Sequence, residues 1–155
     1  MVAAAIDLEG KLAVRRSVLI NAPPERVWRE FEDQERMTRW WGIGHRLVAY
    51  EPRVGGTIEM EVEVDGALHR FGGQIVVFEP GRELTWEDNW IGPMAWSTTI
   101  FSTLRLTPAS GGTLVEFIKH GFERLGERAA EVHRGLEGGW SITQLNALRQ
   151  IVEGA

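Results

Sequence analysis

Two polar residues fall on the apolar faces of predicted strands, where a side chain can anchor a buried ligand or transfer a proton. Asp88 lies two residues from both Trp86 and Trp90, so the three side chains face the same side of a predicted strand. A predicted hairpin register also places His69 on the apolar face of its own strand. A carboxylate among indole rings loses hydration, which favours its neutral form and suits a proton donor or a hydrogen-bonding anchor. The alternative is that Asp88 reaches water near a strand end while His69 bonds to a core neighbour. His69 and Asp88 are therefore candidates for general acid–base catalysis, provided that they meet in one cavity.

Aromatic residues are the second candidate for a site, because seven tryptophans in 155 residues imply either a bulky core or a wide pocket wall. Apolar walls with a few polar anchors are typical of sites for small hydrophobic ligands. The predicted ligand-binding residues are Trp41, Phe71, Trp86, Trp90, Met94, Trp96, Phe117, Trp140, Gln144 and Leu148. The alternative interpretation is a core in which these side chains interlock and leave no space.

The loop Trp90-Ile91-Gly92-Pro93-Met94-Ala95-Trp96 joins two predicted strands and is apolar for a hairpin connection. Such a loop gains little by facing water, so we predict that Trp90, Met94 and Trp96 cover a pocket mouth or are buried in a subunit interface. Ile142 projects among polar residues on the last predicted helix and is another candidate contact for a homodimer.

The strand predicted over Thr57–Val64 alternates apolar residues with glutamates, which is typical of a half-buried antiparallel strand. Asp65-Gly66 follows and predicts a two-residue hairpin turn. The turn fixes the register, and on the polar face it leaves a stripe of three glutamates that is either solvated or a docking surface for a basic partner. The predicted partners are Val64 with Ala67, Val62 with His69, Met60 with Phe71, Ile58 with Gly73, and Glu61 with Arg70.

The order of the remaining elements indicates an α+β fold. A strand at 12–20 precedes two short helices, which end near residues 31 and 41, and further strands are predicted at 74–79, 82–90, 97–107 and 113–120. The chain ends in an amphipathic helix with an apolar stripe from Leu136 to Val152. Gly138-Gly139 lowers the helix propensity at this point of the stripe, which predicts close packing or a bend there. We expect a flexible tail over 1–11 and one domain over 12–155.

Short motifs spread over residues 12–152 match one known family in order and spacing. They are Ala22-Pro23 with Val27-Trp28, Trp40-Trp41, Arg53-Val54-Gly55-Gly56, Asp65-Gly66, Gly73, Leu84 with Trp86, Gly111-Gly112-Thr113, and Gly139-Trp140 with Leu145 and Leu148. The chain resembles the AHSA1-like (activator of Hsp90 ATPase homologue) branch of the START/Bet v 1 (SRPBCC) superfamily. The resemblance implies a helix-grip fold, in which a curved antiparallel sheet of six or seven strands wraps around a long C-terminal helix, with a cavity between them. It also implies packing roles for Trp28, Trp86 and Trp140.

Composition excludes several classes of function. The 17 basic and 22 acidic residues give a net charge of −5, which disfavours nucleic acid as a partner. No apolar run is long enough to span a membrane, and Asp7 and Glu9 interrupt any signal-peptide core, so we expect a cytoplasmic protein. The chain has no cysteine, and its four histidines lack ligand spacing, so we expect neither a metal nor a cofactor.

Three functions remain open, because one fold serves many activities. The first is a protein that binds a small hydrophobic ligand between the sheet and the last helix, without being an enzyme. The second, implied only by the resemblance, is a regulator of an Hsp90-type chaperone ATPase. The third is an enzyme of the cyclase or dehydratase type, which would need His69 and Asp88 within reach of a bound substrate.

Overall fold

The computed structural model describes residues 12–154, so the predicted tail over 1–11 lies outside the described residues. The strands are β1 (Val14–Ile20), β2 (Arg46–Tyr50), β3 (Thr57–Val64), β4 (Ala67–Glu79), β5 (Glu83–Ile91), β6 (Ile100–Ala109) and β7 (Gly112–His120). The helices are α1 (Pro24–Trp28), α2 (Gln34–Trp41), α3 (Ala129–Gly139) and α4 (Thr143–Gly154), with 3₁₀ segments at Arg29–Phe31 and Phe122–Arg128.

The strands form one antiparallel sheet in the order β1-β7-β6-β5-β4-β3-β2, which curls into a half-barrel. The C-terminal helix α4 packs against β1 and α2, and its apolar side, with Leu145, Leu148 and Val152, joins the main core. The predicted α+β helix-grip fold is thereby confirmed.

The β3–β4 hairpin has the predicted register at all five pairs, from Val64 opposite Ala67 to Ile58 opposite Gly73. Asp65 and Gly66 have φ of 50° and 81°, the positive values that a two-residue turn matching the twist of its strands requires. Because side chains alternate along a strand, this turn decides which of them face the cavity.

The glutamate stripe on the outer face of β3 is largely neutralised within the sheet. Arg70 donates to Glu59 at 3.0 Å and to Glu61 at 3.5 Å, and Arg46 donates to Glu61 at 2.9 Å. These pairs favour the interpretation of a solvated sheet surface over that of a docking stripe.

The segment between β1 and β2 is held by a buried carboxylate. Glu30 is almost fully buried, and its two carboxylate oxygens accept hydrogen bonds from Arg26 and Arg39, each at 2.8 Å. The backbone oxygen of Glu30 also accepts from the indole nitrogen of Trp40 at 2.9 Å. This network fixes α1 and α2 relative to each other, so that the end of α2 reaches the concave side of the sheet.

The apolar stripe predicted from Leu136 to Val152 is divided between two helices. The first, α3, ends at Gly139, and Trp140 is extended with φ −102° and ψ 134°. A Cβ built on Gly138 or Gly139 would meet no neighbouring atom within 4 Å, so the glycine pair marks a bend and not a close approach. The bend turns the Trp140 side chain towards the concave face of the sheet, where it contacts the rings of Trp41 and Phe117.

Candidate functional site

A cavity of about 380 Å³ lies between the concave face of the sheet and the connection from α3 to α4. Its volume is within the range that holds small organic ligands. The rings on its wall belong to Phe71, Trp90, Trp96 and Trp140, and exposed residues of the α3–α4 connection form part of its rim. Its polar lining includes His45, Asp88, Lys119 and Gln144.

The structure separates the predicted ligand-binding residues into three groups. Those that line the cavity are Phe71, Trp90, Trp96, Trp140 and Gln144. Those buried in the core outside the cavity wall are Trp41, Trp86, Phe117 and Leu148. Met94 stands apart, because it is 39% exposed on its loop and does not line the cavity.

The two candidates for acid–base chemistry lie in different places. Asp88 lines the cavity, whereas His69 does not; its ring packs at 6.2 Å from the ring of Trp90. A third residue, His45, shares the cavity with Asp88 instead. An enzyme that uses His69 and Asp88 together therefore gains no support from this geometry.

Asp88 forms a buried ion pair with Lys119. The Lys119 Nζ lies 2.6 Å from Asp88 Oδ2, and Ser102 Oγ donates to the same oxygen at 2.7 Å. Asp88 and Lys119 are only 2% and 3% exposed. Removing two charges from water costs several kcal/mol per ion, so a buried pair is weak evidence for stability and calls for another role.

Three neighbouring strands, β5, β6 and β7, position this pair. Ser102 and Lys119 are directly paired between β6 and β7, and Asp88 reaches Ser102 diagonally across β5 and β6. The Lys119 ammonium also lies 4.9 Å from the Trp140 ring centre, within cation–π range. The sequence contained a signal for Lys119. Val115, Phe117 and Lys119 are spaced two residues apart, so their side chains lie on one face of β7, and the first two are buried in the core.

His45 follows α2 and packs its ring between those of Trp41, Phe71 and Trp140, at 5.4 to 5.8 Å between ring centres. Burial, and next the positive charge of Lys119, lower the pKa of His45 to about 4, so that the ring is neutral at pH 7. Within the described part of the chain, its Nε2 is buried without a hydrogen-bond partner. No periodic pattern covers this connection, so the sequence offered no signal for it.

Two side chains hold the segments that close the cavity. Arg16 of β1 donates to the backbone oxygens of Glu137 and Trp140, at 3.0 and 2.9 Å. Gln144 of α4 donates to the backbone oxygen of Ile43 at 2.7 Å, next to the loop that carries His45. Trp140 and His45 are thus positioned by residues outside the aromatic wall.

We expect Arg16→Met to loosen the Trp140 side of the cavity. Charge-assisted hydrogen bonds contribute about 1 to 2 kcal/mol at a partly exposed site, so amide hydrogen exchange over residues 138–143 should accelerate roughly tenfold. The matched control is Arg15→Met on the same strand, because among the described residues the Arg15 side chain makes only a 3.9 Å ion pair with Glu116. Equal acceleration in both variants would show that Arg16 does not position Trp140.

Neither a metal cluster nor a membrane helix is present in the described residues. No group of three His, Cys, Asp or Glu side chains within 12–154 is arranged to hold a metal ion. None of the helices in the same range is both long and apolar enough to cross a membrane.

Several solved structures share this fold. Protein CV1439 from Chromobacterium violaceum is 25% identical, with 92% of this chain and 97% of that chain covered and a TM-score of 0.66. Protein Ms6760 from Mycobacterium smegmatis is 18% identical, with coverages of 96% and 94% and a TM-score of 0.71. The Aha1 dimer from Colwellia psychrerythraea is 17% identical, with coverages of 91% and 96% and a TM-score of 0.59.

The sequence itself carries the family assignment. No curated protein matches the chain. The family model described as "Activator of Hsp90 ATPase homolog 1-like protein" matches residues 21–153, which include every strand after β1 and all four helices up to residue 153. The predicted resemblance is confirmed, and the chain belongs to the activator of Hsp90 ATPase homolog 1-like family.

Proposed function

We propose that this protein binds a small hydrophobic molecule in the cavity between the sheet and the α3–α4 connection. The observation that carries the proposal is the cavity itself, about 380 Å³ with four aromatic side chains on its wall. Burying the apolar surface of a ligand against these rings releases about 25 cal/mol per Å² of area removed from water.

The polar groups at this cavity support a binding role. A core that served stability alone would be expected to hold apolar side chains where Asp88, Lys119 and His45 lie. Natural proteins depart from such local rules chiefly at functional sites. The buried ion pair is a departure of this kind, and both of its residues line the cavity.

A neutral fluorescent probe, N-phenyl-1-naphthylamine, tests the proposal by titration. We expect saturable binding that weakens roughly tenfold in Trp96→Ala, because the truncation removes apolar contact area from the wall. Leu68→Ala is the matched control, since Leu68 is exposed on the opposite side of β4 and should leave binding unchanged. Absence of saturable binding, or equal weakening in both variants, would contradict the proposal.

The predicted gate is tested in the same titration. If the loop between β5 and β6 covers the mouth as a unit, Met94→Ala will weaken binding as Trp96→Ala does. If only the indoles contact the ligand, Met94→Ala will bind like the unmodified protein, in keeping with the exposed position of Met94. Mass spectrometry of freshly purified protein under native conditions would then identify a retained ligand.

Family membership favours a second candidate, a regulator of an Hsp90-type chaperone ATPase. A structural neighbour named Aha1 is a dimer, which makes homodimer formation part of this candidate. The candidate predicts that the protein stimulates the ATPase of a purified Hsp90-type chaperone. It would require a docking surface other than the β3 stripe, whose Glu59 and Glu61 are already paired with arginines.

A further inference from the structure

The two carboxylate oxygens of Asp88 have different surroundings. Within residues 12–154, Oδ2 accepts hydrogen bonds from Lys119 at 2.6 Å and from Ser102 at 2.7 Å, whereas no residue donates to Oδ1. The side-chain atoms of the described residues that are both unpartnered and closed to solvent are the Nε1 atoms of Trp41 and Trp86 and the Nε2 of His45. Oδ1 is not among them, so it retains surface that solvent can reach. Because Asp88 lines the cavity, a ligand there can reach this oxygen.

The chemistry of this oxygen decides which ligand group can pair with it. A carboxylate oxygen only accepts hydrogen bonds, so its partner on the ligand must be a donor. A hydrophobic ligand that fills the cavity excludes water from Oδ1, and without a donor it leaves a buried charged acceptor unpaired, which costs free energy. Hydrogen bonds to an ionised acceptor are also stronger than those between neutral groups. Asp88 therefore favours hydrophobic ligands that carry an O–H or N–H group.

The cavity wall carries no net charge. Among its lining residues, all within 12–154, Asp88 and Lys119 are the only ones with ionised side chains, and they form an ion pair. Two of the three Lys119 donors are engaged by Asp88 and Ser102, and the ammonium lies 4.9 Å from the Trp140 ring centre. A ligand ion would lose its hydration here without finding an unpaired counter-ion among these residues. The donor on the ligand is therefore expected to belong to a neutral group.

On the basis of the binding function proposed above, we propose that the ligand is an uncharged aromatic molecule whose hydrogen-bond donor pairs with Asp88 Oδ1. The rings of Phe71, Trp90 and Trp140, which line the same cavity, contact the aromatic body. Lys119 neutralises the carboxylate through its other oxygen and leaves Oδ1 to the ligand. Asp88 is thus the residue that distinguishes donor-bearing ligands from other molecules of the same size.

Five naphthalene derivatives test this inference. 2-Naphthol carries a donor, 2-methylnaphthalene has the same size without a polar group, and 2-methoxynaphthalene has only an acceptor. 2-Naphthoate and the 2-naphthylmethylammonium ion add a negative and a positive charge. Binding is measured at pH 7.5 from shifts of the indole N–H signals in NMR titrations. We expect 2-naphthol to bind roughly tenfold more tightly than each of the other four, because one net hydrogen bond is worth up to about a tenfold change in affinity.

Two variants at Asp88 connect the preference to the proposed contact. Asp88→Leu/Lys119→Met removes the carboxylate together with its counter-ion, so no unpaired charge is left in the interior. Its preference for 2-naphthol over 2-methylnaphthalene should fall to within about twofold. In Asp88→Asn the amide oxygen should face the donors Lys119 and Ser102, which leaves the amide N–H group for the ligand. 2-Methoxynaphthalene, which only accepts, should then bind more tightly than 2-methylnaphthalene.

Gln144 provides the matched control, because it carries a second side-chain acceptor at this cavity. Its Nε2 donates to the backbone oxygen of Ile43, whereas its Oε1 accepts no hydrogen bond within residues 12–154. Asp88 is the stronger acceptor because it is charged. Gln144→Met removes the amide oxygen and should retain the preference for 2-naphthol, even if the lost bond to Ile43 weakens the binding of every compound.

Each outcome decides one of the two proposals. If none of the five compounds binds, the proposed binding function fails. If 2-naphthol binds no more tightly than 2-methylnaphthalene, or if either ion binds most tightly, the binding function stands and the donor inference is overturned. The inference is also overturned if Asp88→Leu/Lys119→Met retains the preference for 2-naphthol, or if Gln144→Met abolishes it.

Discussion

Replacing Lys119 by methionine lowers the free energy of unfolding by about 3 to 5 kcal/mol, because it leaves the Asp88 carboxylate buried without its counter-ion. Asp88 is 2% exposed, and within residues 12–154 the only donor that remains to its side chain is the hydroxyl of Ser102, at 2.7 Å. One neutral donor cannot replace both the Coulombic attraction and the hydration of a buried anion. Urea denaturation monitored by tryptophan fluorescence measures the difference.

Two further variants separate the ion pair from general effects of the substitution. Arg46→Met breaks a pair of similar length, 2.9 Å to Glu61, but Arg46 is largely exposed, so the expected loss is below about 1 kcal/mol. The double variant Asp88→Leu/Lys119→Met removes both charges and should recover most of the stability lost in the single variant. A loss below about 1 kcal/mol in Lys119→Met would show that the pair is hydrated and not isolated from water.

The expected recovery bears on function. If the variant with two apolar residues is as stable as the protein with Asp88 and Lys119, stability does not explain why charged residues lie at this cavity. The double variant then keeps the fold while its cavity end becomes apolar. Its affinity for the uncharged probe 2-methylnaphthalene should rise, because the cavity end offers more apolar contact area, which links the stability measurement to the proposed binding function.

The β3–β4 hairpin shows how much of the fold was predictable from sequence. Its register depended on two local features, the alternation of apolar residues and the Asp65-Gly66 turn, and both act over a few neighbouring residues. The alternation of residues along β5 also placed Asp88 correctly, on the concave face of the sheet. Patterns with a short period therefore predicted the sheet and part of its lining.

Other features depend on contacts between distant residues. We predicted a strand from residue 97, but β6 begins at Ile100 because the Asn89 side chain bonds to the backbone of Trp96 and Thr98 and holds that segment as a loop. Lys119 lies on the predicted inner face, yet lysine is rarely buried, and its partner Asp88 is 31 residues away. His45 belongs to an irregular connection whose position is set by α2 and α4.

Lowering the pH from 6.5 to 4.5 should reduce the free energy of unfolding by about 2 to 4 kcal/mol, because two histidines are buried in the neutral form. Burial lowers the pKa of both His45 and His120 to about 4. Lys119 lowers it further at His45, and at His120 the opposing effect of Glu123 is smaller than that of burial. The unfolded chain binds these protons near pH 6.5, so stability is complete above that pH and declines as the pH falls towards 4.

Single and double histidine variants identify the source of this pH dependence. His45→Phe and His120→Phe should each remove about 1 to 2 kcal/mol of the loss between pH 6.5 and 4.5, and the double variant should have a nearly flat profile. The variants are compared by the slope of the free energy of unfolding against pH, because His120→Phe also removes a hydrogen bond to Thr103 and lowers stability at every pH. The measurements stop at pH 4.5 because below that pH the protonation of Glu51 and Glu61, whose pKa values are lowered by hydrogen bonds, also begins to reduce the free energy of unfolding. A profile that stays equally steep without both imidazoles would mean that they are hydrated in the folded protein, and that the cavity end at His45 is open to water.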